Sequence, residues 1–115
     1  MLPSSVRIFV CTVPQDMRRS FDALALVVQQ VLGHDPMGGA LYVFVSKSAT
    51  RVKVLWWDRN GYCLLYKRLH RALFRLPESA AGVTSVDIDG RALGQLLAGV
   101  SVEQKKRGTA LTDSA

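Results

Sequence analysis

Residues 41–77 read LYVFVSKSATRVKVLWWDRNGYCLLYKRLHRALFRLP, and this stretch decides the fold. It contains both tryptophans and all three tyrosines of the chain, and β-branched and aromatic residues recur along it. Val52, Val54 and Trp56 occupy alternate positions, which is the period-two pattern of a half-buried strand. Together with the uninterrupted apolar run 42–45, this alternation predicts an antiparallel β-meander.

The segment 58–61, DRNG, predicts a tight turn between the second and third strands of the meander. Asp is favoured at the first position of a type I turn, and the Gly that follows can adopt a positive φ. Loops of two and three residues both fit the Asn-Gly pair, so the register stays open. The return strand is predicted over 62–69, and a short further strand near 72–75 is ended by Pro77.

The positive charge of the chain is concentrated in the same stretch. Eight basic residues and one acidic residue give it a net charge of +7, whereas the whole chain carries +6. A localised positive field indicates an anionic partner, most often nucleic acid. An alternative is that the bases form only a solvated face while the aromatics fill the core. The candidate nucleic-acid-binding residues are Arg51, Lys53, Arg59, Lys67, Arg68, Arg71 and Arg75.

The two adjacent tryptophans provide a second candidate surface. Neighbouring side chains on a strand point to opposite faces, so one of Trp56 and Trp57 is expected to lie off the main core. An exposed Trp57, with Asp58 and Tyr62 beside it, would offer stacking to a base or an anchor to a protein partner.

Before the meander, the sequence predicts one strand and one helix. Segment 6–12 alternates like a strand, and the helix after it has a Gly33 C-cap followed by Pro36. Two helix starts are possible, namely a capping box over 12–15 or an N-cap at Asp16. The predicted apolar face of this helix consists of Met17, Phe21, Leu24, Val28, Val31 and Leu32.

After the meander, a short strand is predicted over 85–88 and a second helix begins at an N-cap, Asp89. The element order is β-α-βββ(β)-(β)α, which indicates an α+β fold. We expect a mostly antiparallel sheet with both helices packed on one face. Residues 1–100 are predicted to form a single domain, and 101–115 a basic, disordered tail.

The remaining chemistry argues against a cofactor or a metal. Cys11 and Cys63 lie in apolar strand patterns as expected for inert buried thiols, and the two histidines have no second ligand at a suitable spacing. Asp87 and Asp89 form an Asp-x-Asp, a common pattern in which Asp89 already has a capping role. We therefore predict that the protein is not an enzyme. The sequence has no signal-peptide pattern or apolar run long enough to span a membrane, so we expect a cytoplasmic protein with no membrane partner.

The segment 16–24, DMRRSFDAL, resembles the Asp-Met-Arg-(Lys/Arg)-x-Phe-Asp-x-Leu signature of small accessory proteins from bacterial insertion sequences. These are the Orf-two-like (TnpB-type) proteins of the IS-sixty-six group. The similarity continues through 41–44, 52–58 and the closing helix 93–99, and it covers roughly residues 5–100.

This resemblance implies a role in transposition beside a separate transposase that carries the catalytic acids. Its implied partners are DNA, either element ends or non-specific sequence, together with the cognate transposase and other accessory proteins. It carries over no catalytic residue and no oligomeric state. The matching polar residues outside the meander are Arg18, Arg19 and Asp22, and an alternative reading makes Arg18 and Asp22 a pair on the helix surface. We expect a DNA-binding accessory protein, with a transposase-docking module as the alternative.

Overall fold

The computed structural model describes residues 5–102 and contains one central sheet, a small two-stranded sheet and two helices. The first helix continues beyond Val27 in a π-helical segment, Val28–Leu32. The elements in chain order are β1 (Ile8–Cys11), α1 (Phe21–Val27), β2 (Leu41–Val45), β3 (Arg51–Asp58), β4 (Gly61–Arg68), β5 (Ala72–Leu73), β6 (Ser85–Ile88), α2 (Gly90–Ala98) and β7 (Val100–Ser101).

The central sheet has the strand order β4-β3-β2-β1-β6. Only β1 and β2 pair in parallel, because α1 crosses over the sheet between them, and the other three pairings are antiparallel. β5 and β7 form the separate two-stranded sheet. The predicted α+β class, the mostly antiparallel sheet and the β2-β3-β4 meander are confirmed.

The two helices pack on opposite faces of the sheet, so the prediction that both cover one face is wrong. Leu24 of α1 packs with Phe9 and Phe44, whereas Leu93 of α2 packs with Ile8 and Val54 on the other side. All nine side chains of β1 and β2 are buried, which requires cover on both faces of these strands. We refer to the two sides of the sheet as the α1 face and the α2 face.

Helix α1 begins later than predicted. Its N-cap is Ser20, and neither the capping box over 12–15 nor Asp16 starts the helix. Asp16 instead accepts a hydrogen bond from the backbone N–H of Arg18, a local turn that competes with helix formation. Gly33 ends the π-helical segment with φ 71°, as the predicted C-cap requires. The predicted face is also rotated, since Phe21 and Val31 are exposed and Val27 is buried.

The turn between β3 and β4 has two loop residues, Arg59 and Asn60, because Asp58 pairs with Gly61. The residue with positive φ is Arg59 (54°), and Gly61 does not have that conformation, so the predicted role of Gly61 is wrong. The loop has the shorter of the two predicted lengths, but Gly61 belongs to the strand and not to the loop. This loop fixes which residues of β3 and β4 face each other.

The C-terminal elements follow the prediction closely. The Asp89 side chain accepts a hydrogen bond from the backbone N–H of Ala92 at 2.8 Å and caps α2. Beyond β7, the N–H of Val102 donates to the carbonyl of Arg71. The predicted tail lies, from residue 103 onward, outside the described residues, and the domain boundary at residue 100 stays a prediction.

Candidate nucleic-acid interface

The pairing of β3 with β4 sorts the basic residues between the two faces of the sheet. Arg51 lies directly opposite Arg68, and Val52 lies opposite Lys67. Because side chains alternate along a strand, Arg51 and Arg68 share the α1 face, whereas Lys67 projects on the α2 face. The consecutive bases Lys67 and Arg68 therefore lie on opposite faces of the sheet and cannot both contact a ligand bound on one face.

Arg51 and Arg68 form a cross-strand pair of like charges. Both side chains are exposed, and like charges directly opposite each other in a sheet destabilise it. Arg51 donates to the hydroxyl of Tyr66 at 3.3 Å, but neither guanidinium has a carboxylate partner among the described residues. The pair is thus a concentration of positive charge that the fold itself does not neutralise.

A groove of about 410 Å³ lies beside this pair, between segment 15–18 and the loop that joins β2 to β3. Its bases are Arg18, Lys47 and Arg51. Its loop side carries a row of hydroxyl groups in which adjacent oxygens are 3.1 and 2.8 Å apart. The hydroxyls belong to Ser46, Ser48 and Thr50. Cations and hydroxyl donors on one concave surface suit the oxygens of a phosphate group.

Arg18 is held in the groove by Asp16. The guanidinium donates from Nε at 3.0 Å and from an Nη atom at 2.7 Å to the same Asp16 oxygen, and the backbone N–H of Arg18 also donates to the carboxylate. These hydrogen bonds lower the pKa of Asp16 to about 2, so the carboxylate is ionised near neutral pH. The Arg18 side chain remains 90% exposed. Arg18 pairs with Asp16 and lies before α1, which corrects the alternative pairing with Asp22.

We call Arg18, Lys47, Arg51 and Arg68 the basic end of the β3–β4 hairpin. Of the predicted binding residues, the structure brings Arg51 and Arg68 together here. Lys47 belongs to the basic stretch but is not among the predicted site residues. The pattern Ser-Lys-Ser-Ala-Thr, which places hydroxyls beside a base in a strand connection, is the sequence signal for it.

Lys53 is the one predicted contact that is buried, with only 6% of its surface exposed. Its Nζ donates to the carbonyl of Arg19 at 2.7 Å and lies 4.8 Å from the centre of the Tyr66 ring. The ammonium therefore ties the segment before α1 to the sheet. These contacts inside the fold keep the ammonium away from a phosphate at the surface.

The other predicted bases are dispersed. Lys67 donates to the carbonyl of Leu97 at 2.7 Å, near the C-terminus of α2. Arg59 lies in the turn at the far end of β3, roughly 25 Å from Arg51 by the rise of an eight-residue strand. Arg71 is exposed after β4, and Arg75 lines a different groove beside α2.

The turn end of the same hairpin is aromatic and acidic, and we call Trp57, Asp58 and Tyr62 the aromatic end. Trp57 lies opposite Tyr62 on the α1 face, with ring centres 5.0 Å apart in a T-shaped arrangement. Burial raises the pKa of the Tyr62 hydroxyl, and the negative charges of Asp35 and Asp22 raise it further. The motif residue Asp22 therefore belongs to the surroundings of this end.

The structure gives Asp87 and Asp89 separate partners. Asp87 forms an ion pair with Arg7, and Asp89 caps α2. Within residues 5–102, no three His, Cys, Asp or Glu side chains are grouped closely enough to hold a metal ion. In the same range, neither helix is long and apolar enough to cross a membrane.

Comparison with known proteins identifies a matching family and two similar proteins. The family model described as IS66 Orf2 like protein matches residues 6–107 of the chain. Two proteins of Sinorhizobium fredii (strain NBRC 101917 / NGR234) are similar, and both are named as uncharacterized. The first, y4hO, is 42% identical over 102 residues, which span 87% of either chain. The second, y4jC, is 32% identical over 102 residues, which span 89% of this chain and 86% of its own. No solved structure matches.

Proposed function

The chain belongs to the family of IS66 Orf2-like proteins, accessory proteins of an insertion sequence, and we propose that it serves transposition by binding DNA through its basic end. The proposed role is non-enzymatic. The protein contributes positive charge and shape, while a separate transposase performs the chemistry.

The observation that carries this proposal is the uncompensated pair Arg51 and Arg68 beside the groove. A like-charged cross-strand pair costs stability in the isolated protein. A phosphate placed between the two guanidinium groups would convert that repulsion into two charge-assisted hydrogen bonds. The fold therefore keeps at this position an arrangement that an anion stabilises.

The groove extends the same chemistry along a nucleic-acid backbone. Lys47 and Arg18 supply two further cations. The loop hydroxyls use two of their three O–H groups for the hydrogen bonds within the row, so the row supplies one neutral donor. Contacts of these kinds reach phosphate oxygens and carry no base sequence by themselves. Tyr66 is half exposed beside Arg51, and its hydroxyl accepts a hydrogen bond from the Arg51 guanidinium beside the groove.

Fluorescence anisotropy with labelled duplexes tests the proposal. One duplex carries the terminal repeat of the element and the other a scrambled sequence, and each is titrated at two salt concentrations. Three to four phosphate contacts predict that log Kd rises with log salt with a slope of about 3. A preference for the terminal repeat indicates end recognition, and equal binding indicates a non-specific clamp. No binding at low salt would overturn the proposal.

A second candidate function, docking on the cognate transposase, is favoured by the aromatic end. Trp57 and Tyr62 are only partly buried, and the nearby acids make this end different in charge from the basic end. Partly exposed aromatic pairs are common anchors of protein interfaces. On this proposal the two ends serve two partners, and loss of one partner should leave binding of the other intact.

A further inference from the structure

The outer edge of β4 is long, and its charged residues, Lys67 and Arg68, are confined to its C-terminal end. β4 is an edge of the central sheet, and it pairs with β3 in an unbroken register over eight residues. It contains neither a proline nor a bulge, and the other edge strand, β6, has only four residues. An exposed edge of this length is a template for pairing with another strand.

The ladder fixes which residues of β4 present free backbone groups. The N–H of Leu69 donates to the carbonyl of Thr50, and this pair continues the register of β3 with β4. Hydrogen-bonded pairs alternate in an antiparallel ladder, so the odd-numbered residues of β4 bond to β3. The backbone N–H and C=O groups that point outward are those of Tyr62, Leu64, Tyr66 and Arg68.

We propose that the protein forms a homodimer in which β4 pairs antiparallel with β4 of a second copy, centred on Leu65. The two-fold axis then runs perpendicular to the sheet, and the two central sheets become one continuous sheet of ten strands. In this register all four outward-facing residues of each strand lie opposite an outward-facing residue of the other. This inference does not depend on the proposed DNA binding.

The side chains of this register complement each other. Leu65 meets its own copy, and Tyr66 meets Leu64 of the second copy. Leu65 and Tyr66 are exposed hydrophobic residues of the isolated chain, at 39% and 50%, and both lie at the middle of the edge. Pairing therefore covers apolar surface that nothing in the described part of the chain covers.

The charges also favour this register. Arg68 lies opposite Tyr62 of the second copy, whose ring already packs on Trp57, so the guanidinium meets an aromatic face. The basic end of each copy is thus placed beside the aromatic end of the other. Lys67 does not oppose pairing, because its Nζ is bonded to the carbonyl of Leu97 on the α2 face. Two lysines directly opposite each other occur only in a register shifted away from Leu65.

Sedimentation equilibrium of the full chain, with and without Leu65→Lys, tests the dimer. The substitution places two ammonium groups opposite each other at the two-fold axis, on a side chain that is already exposed and outside the core. We expect a dimer for the wild type and a dissociation constant raised at least about tenfold for the variant. The control Val83→Lys adds the same charge at an exposed loop residue and should leave the dimer unchanged.

A Leu65→Cys variant tests the register independently of folding stability. Non-hydrogen-bonded partners in an antiparallel pair have Cα atoms about 4.5 Å apart, within the range for a disulfide. Mild oxidation with diamide should therefore link this variant to itself. The wild-type chain should not crosslink through Cys63, because Cys63 lies opposite Lys67 of the second copy.

Three results would overturn the proposal. One is a monomer at all concentrations, as expected if another segment of the same chain covers the edge. Another is a dimer that resists Leu65→Lys, which would place the interface elsewhere. The third is a wild-type chain that crosslinks through Cys63 while Leu65→Cys does not, which would show a different register.

Discussion

The two ends of the β3–β4 hairpin are built from the same pair of strands, but their cross-strand side-chain pairs have opposite effects on the stability of the hairpin. At the aromatic end, Trp57 and Tyr62 lie opposite each other and stabilise the pairing through ring contact. At the basic end, Arg51 and Arg68 lie opposite each other and repel. The contrast teaches that one hairpin can concentrate cross-strand stability at one end and unneutralised positive charge at the other.

The groove adds to the difference between the basic end and the aromatic end. Its hydroxyl row and the Asp16–Arg18 pair hold donors and cations in fixed positions, and the buried Lys53 fastens the segment before α1 to the sheet. A site whose cations are positioned before a ligand arrives loses less conformational entropy on binding. The predictions that follow alter one end at a time.

The largest expected effect is on DNA affinity, from the double substitution Lys47→Gln and Arg51→Gln. Each lost phosphate contact removes about 0.9 from the salt exponent, so at 0.1 M salt the affinity should fall roughly 50-fold. The slope of log Kd against log salt should fall by about 1.8. Anisotropy across a salt series measures both quantities.

The matched control is Arg59→Gln with Arg75→Gln, which removes the same charge from positions outside the basic end. Salt screens the interaction of DNA with charges that lie far from the bound phosphates, so this control should change the DNA affinity less than about threefold. Equal losses in the two double variants would show that DNA responds only to net charge, and the basic end would lose its special role.

The next effect concerns the aromatic end and the second candidate function. Trp57→Ala removes an anchor of a partly exposed ring pair, and truncation of such an anchor typically costs more than 1 kcal/mol of binding. Retention of the purified transposase on the immobilised variant should fall about tenfold. DNA affinity should stay at the wild-type value.

Val83→Ala provides a control for that experiment, because Val83 is an exposed apolar residue in the loop before β6, at the opposite edge of the sheet from β4. It should retain the transposase normally. If Trp57→Ala retained the transposase as well as the wild type does, docking through the aromatic end would be excluded.

A smaller effect of opposite sign is expected from Asp16→Asn. The carboxylate is held ionised by Arg18, with its pKa lowered to about 2, so its negative charge faces the groove at neutral pH. Removing one charge several ångströms from a phosphate should tighten DNA binding about threefold. Asp22→Asn, outside the groove, should leave the affinity unchanged, and weaker binding by Asp16→Asn would show that the pair mainly positions Arg18.

The same carboxylate predicts a pH dependence of stability. Because the folded pKa is lowered from 3.8, the contribution of Asp16 to the free energy of unfolding is present above about pH 4 and is lost as the pH falls toward 2. Acid titrations of the wild type and Asp16→Asn, followed by circular dichroism, should therefore converge at low pH. Curves that diverge there would contradict the lowered pKa.

The smallest effect is on stability, from Arg68→Thr. Relief of the like-charged pair should raise the free energy of unfolding by about 0.5 kcal/mol, or Tm by about 2–4 °C, while DNA binding weakens. Thermal melts at concentrations below self-association measure the change. Lys67→Thr, on the other face, loses a hydrogen bond to Leu97 and should lower Tm instead. A lower Tm for Arg68→Thr would mean that this arginine stabilises the fold.

The positions of most strands and helices were predictable from local sequence patterns, because each such element depends mainly on residues that are close together in the sequence. The alternation of Val52, Val54 and Trp56 does place these side chains on one face, the α2 face. The caps Asp89 and Gly33 are where the sequence places them. The start of α1 was wrong because Asp16 has two competing uses, a cap and a turn, and periodicity alone does not distinguish them.

The placement of the helices and the site depended on long-range pairing. The signal for helices on both faces is present in β1 and β2, where both sets of alternate residues are apolar. The groove was not predictable, because Arg18 and Arg51 are brought together only by the packing of segment 15–18 against the β2–β3 loop. Once the register was known, alternation alone would have separated Lys67 from Arg68.

The position of β1 between β2 and β6 has a consequence for synthesis of the chain. β1 is translated first, yet its neighbour β6 spans Ser85–Ile88, so one edge of β1 stays open until nearly the whole domain has left the ribosome. All four residues of β1 are buried in the finished sheet, and an incomplete chain exposes an apolar strand edge that other nascent chains can pair with. A reading frame interrupted before residue 85 therefore yields an aggregation-prone fragment and not a smaller working protein.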